Sequence, residues 1–213
     1  MNIKTFVCNP IEENTIVLYD DSGEAVVIDC GCLSRDEKQA LQHFLEENNL
    51  TPVALLNTHL HIDHILGNAF MLERYALSAK AHRADESWLT DALAHAAHLG
   101  IRGAEAPPPL GGYLDEGDTI HFGHSELRPI HVPGHSAGSL CYYCEEEGVL
   151  VSGDVLFEGC IGRSDLPGGD PHLLVTGIRE KLFALPGDTR VLPGHGNPTT
   201  ILRERRFNPY VTA

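Results

Sequence analysis

No stretch of the chain stays apolar for the roughly 18 to 20 residues that a membrane-spanning helix needs, so no bilayer crossing is expected. The opening residues, MNIKTFVCNPIEENT, lack the basic-then-apolar pattern of a secretory leader, and the sequence reads as cytoplasmic. Basic residues are scarce: 15 Lys and Arg stand against 30 Asp and Glu, for a formal charge of -15. Surfaces for nucleic acid or anionic lipid need cations facing the phosphates, so neither partner is expected. Six cysteines in 213 residues do not make a disulfide scaffold. The lone CxxC, Cys141 and Cys144 in SLCYYCEEEG, has no second pair to complete a structural zinc site. Placed on a strand, its two thiols point to opposite faces and read as core residues. Cys30 and Cys32, at a strand end, read the same way. There is no repeat and no low-complexity tail.

What remains is an ordinary globular composition, 42% hydrophobic and 21% charged, long enough for one domain over residues 1–213 with a substantial core. Alternating apolar patterns predict strands at 3–8, 14–19, 25–29, 53–57, 119–122, 127–132, 139–144, 148–152 and 190–192. Helical spacing predicts helices at about 35–48, 64–77, 85–98, 171–184 and 198–206, the first opened by a capping box of Ser34 and Glu37. The segment 100–112, with three prolines among glycines, reads as a surface loop. This order suits an α/β fold in four layers, two mixed β-sheets face to face with helices on the outer faces.

The compositional outlier is histidine, thirteen in all. Thr58-His59-Leu60-His61-Ile62-Asp63-His64 follows a buried strand. In an extended segment His59 and His61 project to one side, while Asp63 and His64 fall where a helix begins and aim elsewhere. One loop thus offers ligands to two neighbouring positions. His135 in VPGHSAGS, Asp154 in VLVSGDVLF and His195 in VLPGHG each follow an apolar strand in a glycine-containing turn, where strand ends deliver side chains to a common rim. Seven such ligands are too many for one tetrahedral ion and suit two ions sharing a bridge. Imidazole and carboxylate fit zinc, iron and manganese alike; zinc is the first expectation. Of the other histidines, His82 is the candidate for a pocket wall.

HxHxDH, PGHSAGS, SGDVLF and PGHG, in this order across essentially the whole chain, resemble the metallo-β-lactamase superfamily, and within it the short bacterial members of the glyoxalase II (hydroxyacylglutathione hydrolase) group. The resemblance implies the αββα sandwich. It implies one metal on His59, His61 and His135, a second on Asp63, His64 and His195, and Asp154 bridging them. Asp63 and Asp154 are the expected catalytic carboxylates, and Asp29 the residue that supports the ligands from behind. The implied activity is hydrolysis of a small-molecule thioester, a glutathione conjugate being the prototype, by a hydroxide that bridges two divalent metal ions. The family's basic loop after the bridging aspartate is replaced by EGCIGRSDLPGGD, and its C-terminal helical extension has no counterpart in this sequence. Arg163 is the candidate to hold a substrate carboxylate; its competing role is a structural pair with Asp165. One of Arg203, Arg205 and Arg206 is expected to pack against the site, and Cys160 to lie at the pocket edge. The main alternative is a mononuclear iron enzyme like the persulfide dioxygenases, on the residues equivalent to His59, His135 and Asp154. A non-enzymatic metal module is a further one. β-Lactamase activity is not expected, because those enzymes usually carry Cys or Ser where Asp154 stands. Oligomeric state is open.

Overall fold

The computed structural model describes residues 1–211. Strands β1 (Asn2–Cys8), β2 (Glu13–Tyr19), β3 (Glu24–Ile28) and β4 (Thr51–Leu56) form one sheet, extended by the short β5 (Lys80–Ala81) and β6 (Gly112–Tyr113) in that order. The first three run antiparallel and the rest parallel. The second sheet has the order β14-β13-β10-β9-β8-β7, with β7 (Ile120–Phe122), β8 (Ser125–His131), β9 (Leu140–Cys144), β10 (Val149–Gly153), β13 (Arg190–Pro193) and β14 (Thr199–Thr200). A hairpin of β11 (Leu156–Phe157) and β12 (Cys160–Ile161) stands apart.

Alternation along the strands builds the layers. Ile16, Leu18, Val26 and Ile28 face Leu140, Tyr142, Val149 and Val151 in the core between the sheets. Their neighbours Val17 and Val27 turn outward onto α1 (Arg35–Glu47) and α3 (Asn68–Tyr75) through Leu41, Leu45 and Met71. On the other side Cys141, Tyr143 and Leu150 pack on α5 (Pro171–Gly177) and the wide turn Ile178–Leu182. The four-layer expectation holds, and so does the placing of the CxxC thiols: Cys144 lies between the sheets and Cys141 on the outer face.

The capping box of α1 is present, with Glu37 Oε2 accepting from Ser34 N–H at 2.7 Å and Ser34 Oγ from Glu37 N–H at 3.2 Å. Three expected helices are shorter or broken. The one over 64–77 divides into α2 (Ile62–Ile65) and α3, because Gly67 N–H donates to Cys30 O at 2.7 Å and a Cβ there would collide with Cys30 Sγ. The one over 85–98 is a 3-10 turn, Arg83–Leu89, followed by α4 (Ala92–His98). The one over 171–184 changes pitch after Gly177, which packs against Val132. The last helix, α6 (Ile201–Phe207), opens at Thr200. The segment 100–112 is irregular up to β6, as expected. Among the described residues no helix is long and apolar enough to cross a membrane.

Topology gathers the candidate ligands. β3 and β4 are parallel, so Asp29 and the segment from Thr58 leave the first sheet at the same edge. β8 and β10 both run antiparallel to β9, and β13 runs parallel to β10. His135, Asp154 and His195 therefore leave the second sheet at one edge too.

Candidate metal centre

At that edge two triads form, His59–His61–His135 and Asp63–His64–His195, each with its donor atoms within 4.8 Å of one another. Asp154 lies between them. Its Oδ1 is 3.4 Å from His64 Nε2, and its Oδ2 is 3.6 Å from both His135 Nε2 and His195 Nε2. All seven expected residues are thus brought together.

Backbone and hydroxyl acceptors behind the histidines fix which nitrogen faces inward. His135 Nδ1–H donates to Arg163 O at 2.7 Å, and His195 Nδ1–H faces Ile11 O and Glu12 O at 3.2 Å. His64 Nδ1–H donates to Asp29 Oδ2 at 3.0 Å. Thr58 Oγ–H donates to Asp29 Oδ2 at 2.6 Å, which turns the Thr58 oxygen into the acceptor for His59 Nδ1–H at 3.0 Å. In each case Nε2 is the nitrogen that points into the cluster. His59 and His135 face each other Nε2 to Nε2 at 3.2 Å.

This donor set fits divalent cations on the protein's own evidence. His61 Nε2, His64 Nε2 and Asp154 Oδ1 are buried with no hydrogen-bond partner, an arrangement that costs free energy unless a cation satisfies the lone pairs. Burial, reinforced by the positive ends of its neighbours, drives His59 well below the usual imidazole range and His61 to about 3, so both are neutral bases. Burial opposes charge on His64 as well, but Asp63, Asp154 and Asp29 outweigh it and push its pKa up. Burial opposes charge on Asp154 and Asp63 too, but His64 and His195, with His135 beside Asp154, outweigh it and hold both ionised.

Asp29 has a positive φ of 54°, a turn Asp tolerates, which brings its carboxylate back beneath both triads. It takes Thr58 N–H at 2.7 Å in addition to the two contacts above. The two PGH glycines serve differently. Gly134 has φ 132°, open to glycine alone; Gly194 is needed for space, since a Cβ would collide with Asp154 Oδ1 and His64 Cε1.

Several functional residues carried no sequence signal. Asp85, fully buried in the 3-10 turn, accepts from Leu60 N–H at 3.3 Å, Ser136 Oγ–H at 2.7 Å and Gly138 N–H at 2.6 Å. It ties the loop of His59 and His61 to the loop of His135; burial pushes its pKa up. A cavity of about 360 Å3 opens over the triads, lined by Trp88, His95, His98 and Arg163 among others. His82, the expected wall residue, lies elsewhere. Its Nδ1 accepts from Ala84 N–H at 3.2 Å and its ring stacks on His131 at 4.2 Å, turning it toward Asp115 and away from the cavity. His95 and His98, three apart on one face of α4, take that place, and the spacing could have revealed them.

Arg163 reaches the rim, 62% exposed, with its guanidinium bonded to Asp165 at 2.8 and 2.9 Å. Arg203 pairs with Glu204 and Glu158, and Arg205 bonds Phe183 O; neither is on the cavity lining. Cys160 is half-buried and also off the lining.

Against known proteins, the family model of the metallo-beta-lactamase superfamily matches residues 10–195. The chain belongs to that superfamily of metallo-hydrolases. It is 37% identical over 203 residues to a probable metallo-hydrolase, YqgX, of Bacillus subtilis, covering 95% of this chain and 93% of the relative. It is 31% identical to the hydroxyacylglutathione hydrolase GloC of Haemophilus influenzae, covering 100% of this chain and 99% of the relative. Among solved structures it is similar to the BLEG-1 B3 metallo-beta-lactamase, with a TM-score of 0.91 and 38% identity over 100% of both chains. A second, TTHA1623 in a di-iron-bound form, gives 0.86 and 36%, covering 97% of this chain and 99% of the other.

Proposed function

We propose that this protein is a binuclear metal-dependent hydrolase that cleaves thioesters in the manner of the hydroxyacylglutathione hydrolases. The observation that carries the reading is Asp154, whose two oxygens face a ligand of each triad at 3.4 and 3.6 Å, the arrangement a bridging carboxylate requires. The hydroxyacylglutathione hydrolase relative, matched over 99% of its length, supports the substrate class. The di-iron form of TTHA1623 supports two ions per site and keeps iron beside zinc as the metal.

Cations held by His59, His61 and His135, by Asp63, His64 and His195, and by Asp154 between them would bring the pKa of water toward neutrality and polarise a carbonyl. Asp63, whose Oδ2 lies 3.2 Å from His195 Nε2, is the proposed group to orient the attacking water and take its proton. In the overall reaction a C–O bond forms, the C–S bond breaks, and the water's protons end on the carboxylic acid and the thiol. A thiolate leaves readily, so no strong acid is required of the protein. Arg163 is the one Lys or Arg on the cavity lining among the described residues and is the proposed contact for a substrate carboxylate.

The test pairs metal analysis of untagged protein with hydrolysis of S-lactoylglutathione in the same sample. About two ions per chain, with turnover that falls at least a hundredfold in Asp154→Ala, is the expected result; loss of a group that merely orients a ligand costs ten- to hundredfold. One iron per chain and no turnover, with oxygen uptake on glutathione persulfide, overturns it in favour of the dioxygenase reading. A second hydrolytic reading, opening of a β-lactam amide, is favoured by the whole-chain similarity to BLEG-1. Cleavage of a chromogenic cephalosporin faster than the thioester selects that reading.

A further inference from the structure

Away from the triads the wall of the cavity combines apolar side chains with His95, His98 and Arg163. Ile62, Trp88, Leu99 and Leu166 supply apolar surface, whereas the fixed cation at the rim, Arg163, is already bonded to Asp165. The Trp88 indole stands edge-on to the His61 ring, with centroids 4.6 Å apart and planes at 87°. On the other side it leans on His95 at 4.7 Å and 33°. Both contacts are geometries aromatic pairs favour, so the half-buried indole is held in one orientation. Its anchorage is firm because Trp88 shares the Arg83–Leu89 turn with Asp85, whose carboxylate binds the loops of His59, His61 and His135. A flat apolar panel is thereby fixed one ring away from the centre where a carbonyl would be attacked, and nothing in the chemistry of water attack on a thioester requires it.

We propose that Trp88, backed by His95 and with Leu99 on the same cavity lining, is the specificity-determining wall for the acyl arm. The site then selects thioesters of bulky apolar acids, aryl-substituted ones foremost, over thioesters of small acids such as lactate. This rests on the thioester-hydrolase reading above. An aryl group against the indole gains buried apolar area and a ring–ring contact, while a methyl group in the same place leaves the panel wet.

The experiment compares S-mandeloylglutathione with S-lactoylglutathione on the metal-loaded full-length protein. The two share thiol and leaving group and differ by phenyl against methyl. The expected ratio of kcat/KM is about tenfold in favour of the mandeloyl thioester, a difference hydrophobic pockets commonly achieve. Trp88→Ala brings that ratio to about one, and Trp88→Phe keeps most of it. A purely structural role for Trp88 would lower both rates in parallel and leave the ratio intact, which overturns the proposal, as does a wild-type ratio near one. Binding is read separately, because Trp88 is the chain's single tryptophan. Mandelate should quench its emission at about one-tenth the concentration that lactate needs. Quenching with that preference but no turnover of either thioester would sink the hydrolase reading and keep the wall. Turnover with no preference, in rate or in quenching, would sink the wall and keep the hydrolase.

Discussion

The two ends of the sandwich are both closed by an aspartate that joins the sheets, yet they solve opposite problems. At the end away from the metal centre, Asp20 in the β2–β3 turn accepts from Ser22 N–H and Oγ–H, and from His124 N–H and Ser125 Oγ–H of the β7–β8 turn, at 2.5 to 3.0 Å. Four donors from two sheets meet one carboxylate, and the joint is complete in the protein itself. At the other end Asp85 ties the two sheets' loops in the same manner and Asp29 holds Thr58 and His64 of its own sheet, but the groups they hold include buried polar atoms without a hydrogen-bond partner. Each such atom costs about 1 to 3 kcal/mol. One end is built for stability. The other spends stability to hold lone pairs in place, and the comparison shows which carboxylates belong to folding and which to chemistry.

That contrast can be broken by substitution. Asp29→Asn removes the acceptor shared by His64 and Thr58, and metal affinity should fall ten- to hundredfold at both triads, measured by competition with a chromogenic chelator. Loss at one triad alone would mean that the Thr58 relay to His59 carries nothing. Asp85→Asn should have a smaller and one-sided effect, about tenfold on the His59–His61–His135 triad. Affinity measured on His195→Ala and His135→Ala backgrounds, each of which spares the ligands of one triad, separates the two, and an equal loss at both would show that Asp85 acts on the fold as a whole.

Asp20→Ala should leave metal uptake alone and cost about 2 kcal/mol of stability by urea unfolding, because it strands donors that now meet a charged acceptor. Its pH dependence sharpens the point. Burial works against the Asp20 charge, but its hydrogen bonds outweigh that and hold the folded pKa well below the usual carboxylate range. The native state therefore releases this proton more readily than the unfolded chain. The stabilisation is complete above the unfolded value, about 3.9, and is lost as pH falls through it toward the folded pKa. Asp20→Asn should flatten that acid limb of the stability curve, while an unchanged limb would assign it to the carboxylates of the other end.

The metal end was far more legible in the sequence than its supports. His59, His61, Asp63 and His64 announce themselves because so many candidate ligands crowd one turn, and the paired PGH turns and the SGD turn of Asp154 mark the rest. Asp85 and Trp88 gave no comparable signal. Their roles depend on where a short turn after β5 folds back, which is set by tertiary hydrogen bonds. His82 was misplaced for the same reason, since proximity in sequence to a strand end said nothing of the ring's direction once Ala84 N–H captured it. The helix over 64–77 was read through Gly67 because its partner, Cys30, lies 37 residues earlier in the chain. The short strands β5, β6, β11, β12 and β14, two residues each, are too brief for alternation to register.

Asp29 has a consequence for the order in which ions arrive. Its Oδ2 serves His64 of one triad and, through the Thr58 hydroxyl, His59 of the other. Fixing either imidazole on a cation also fixes the carboxylate that the other imidazole leans on, so the first arrival meets part of the ordering cost of the second. Loading of two ions would then be cooperative, and by linkage each would retain the other. A cell supplying half the metal required would hold bare and fully loaded molecules side by side, with few carrying a single ion.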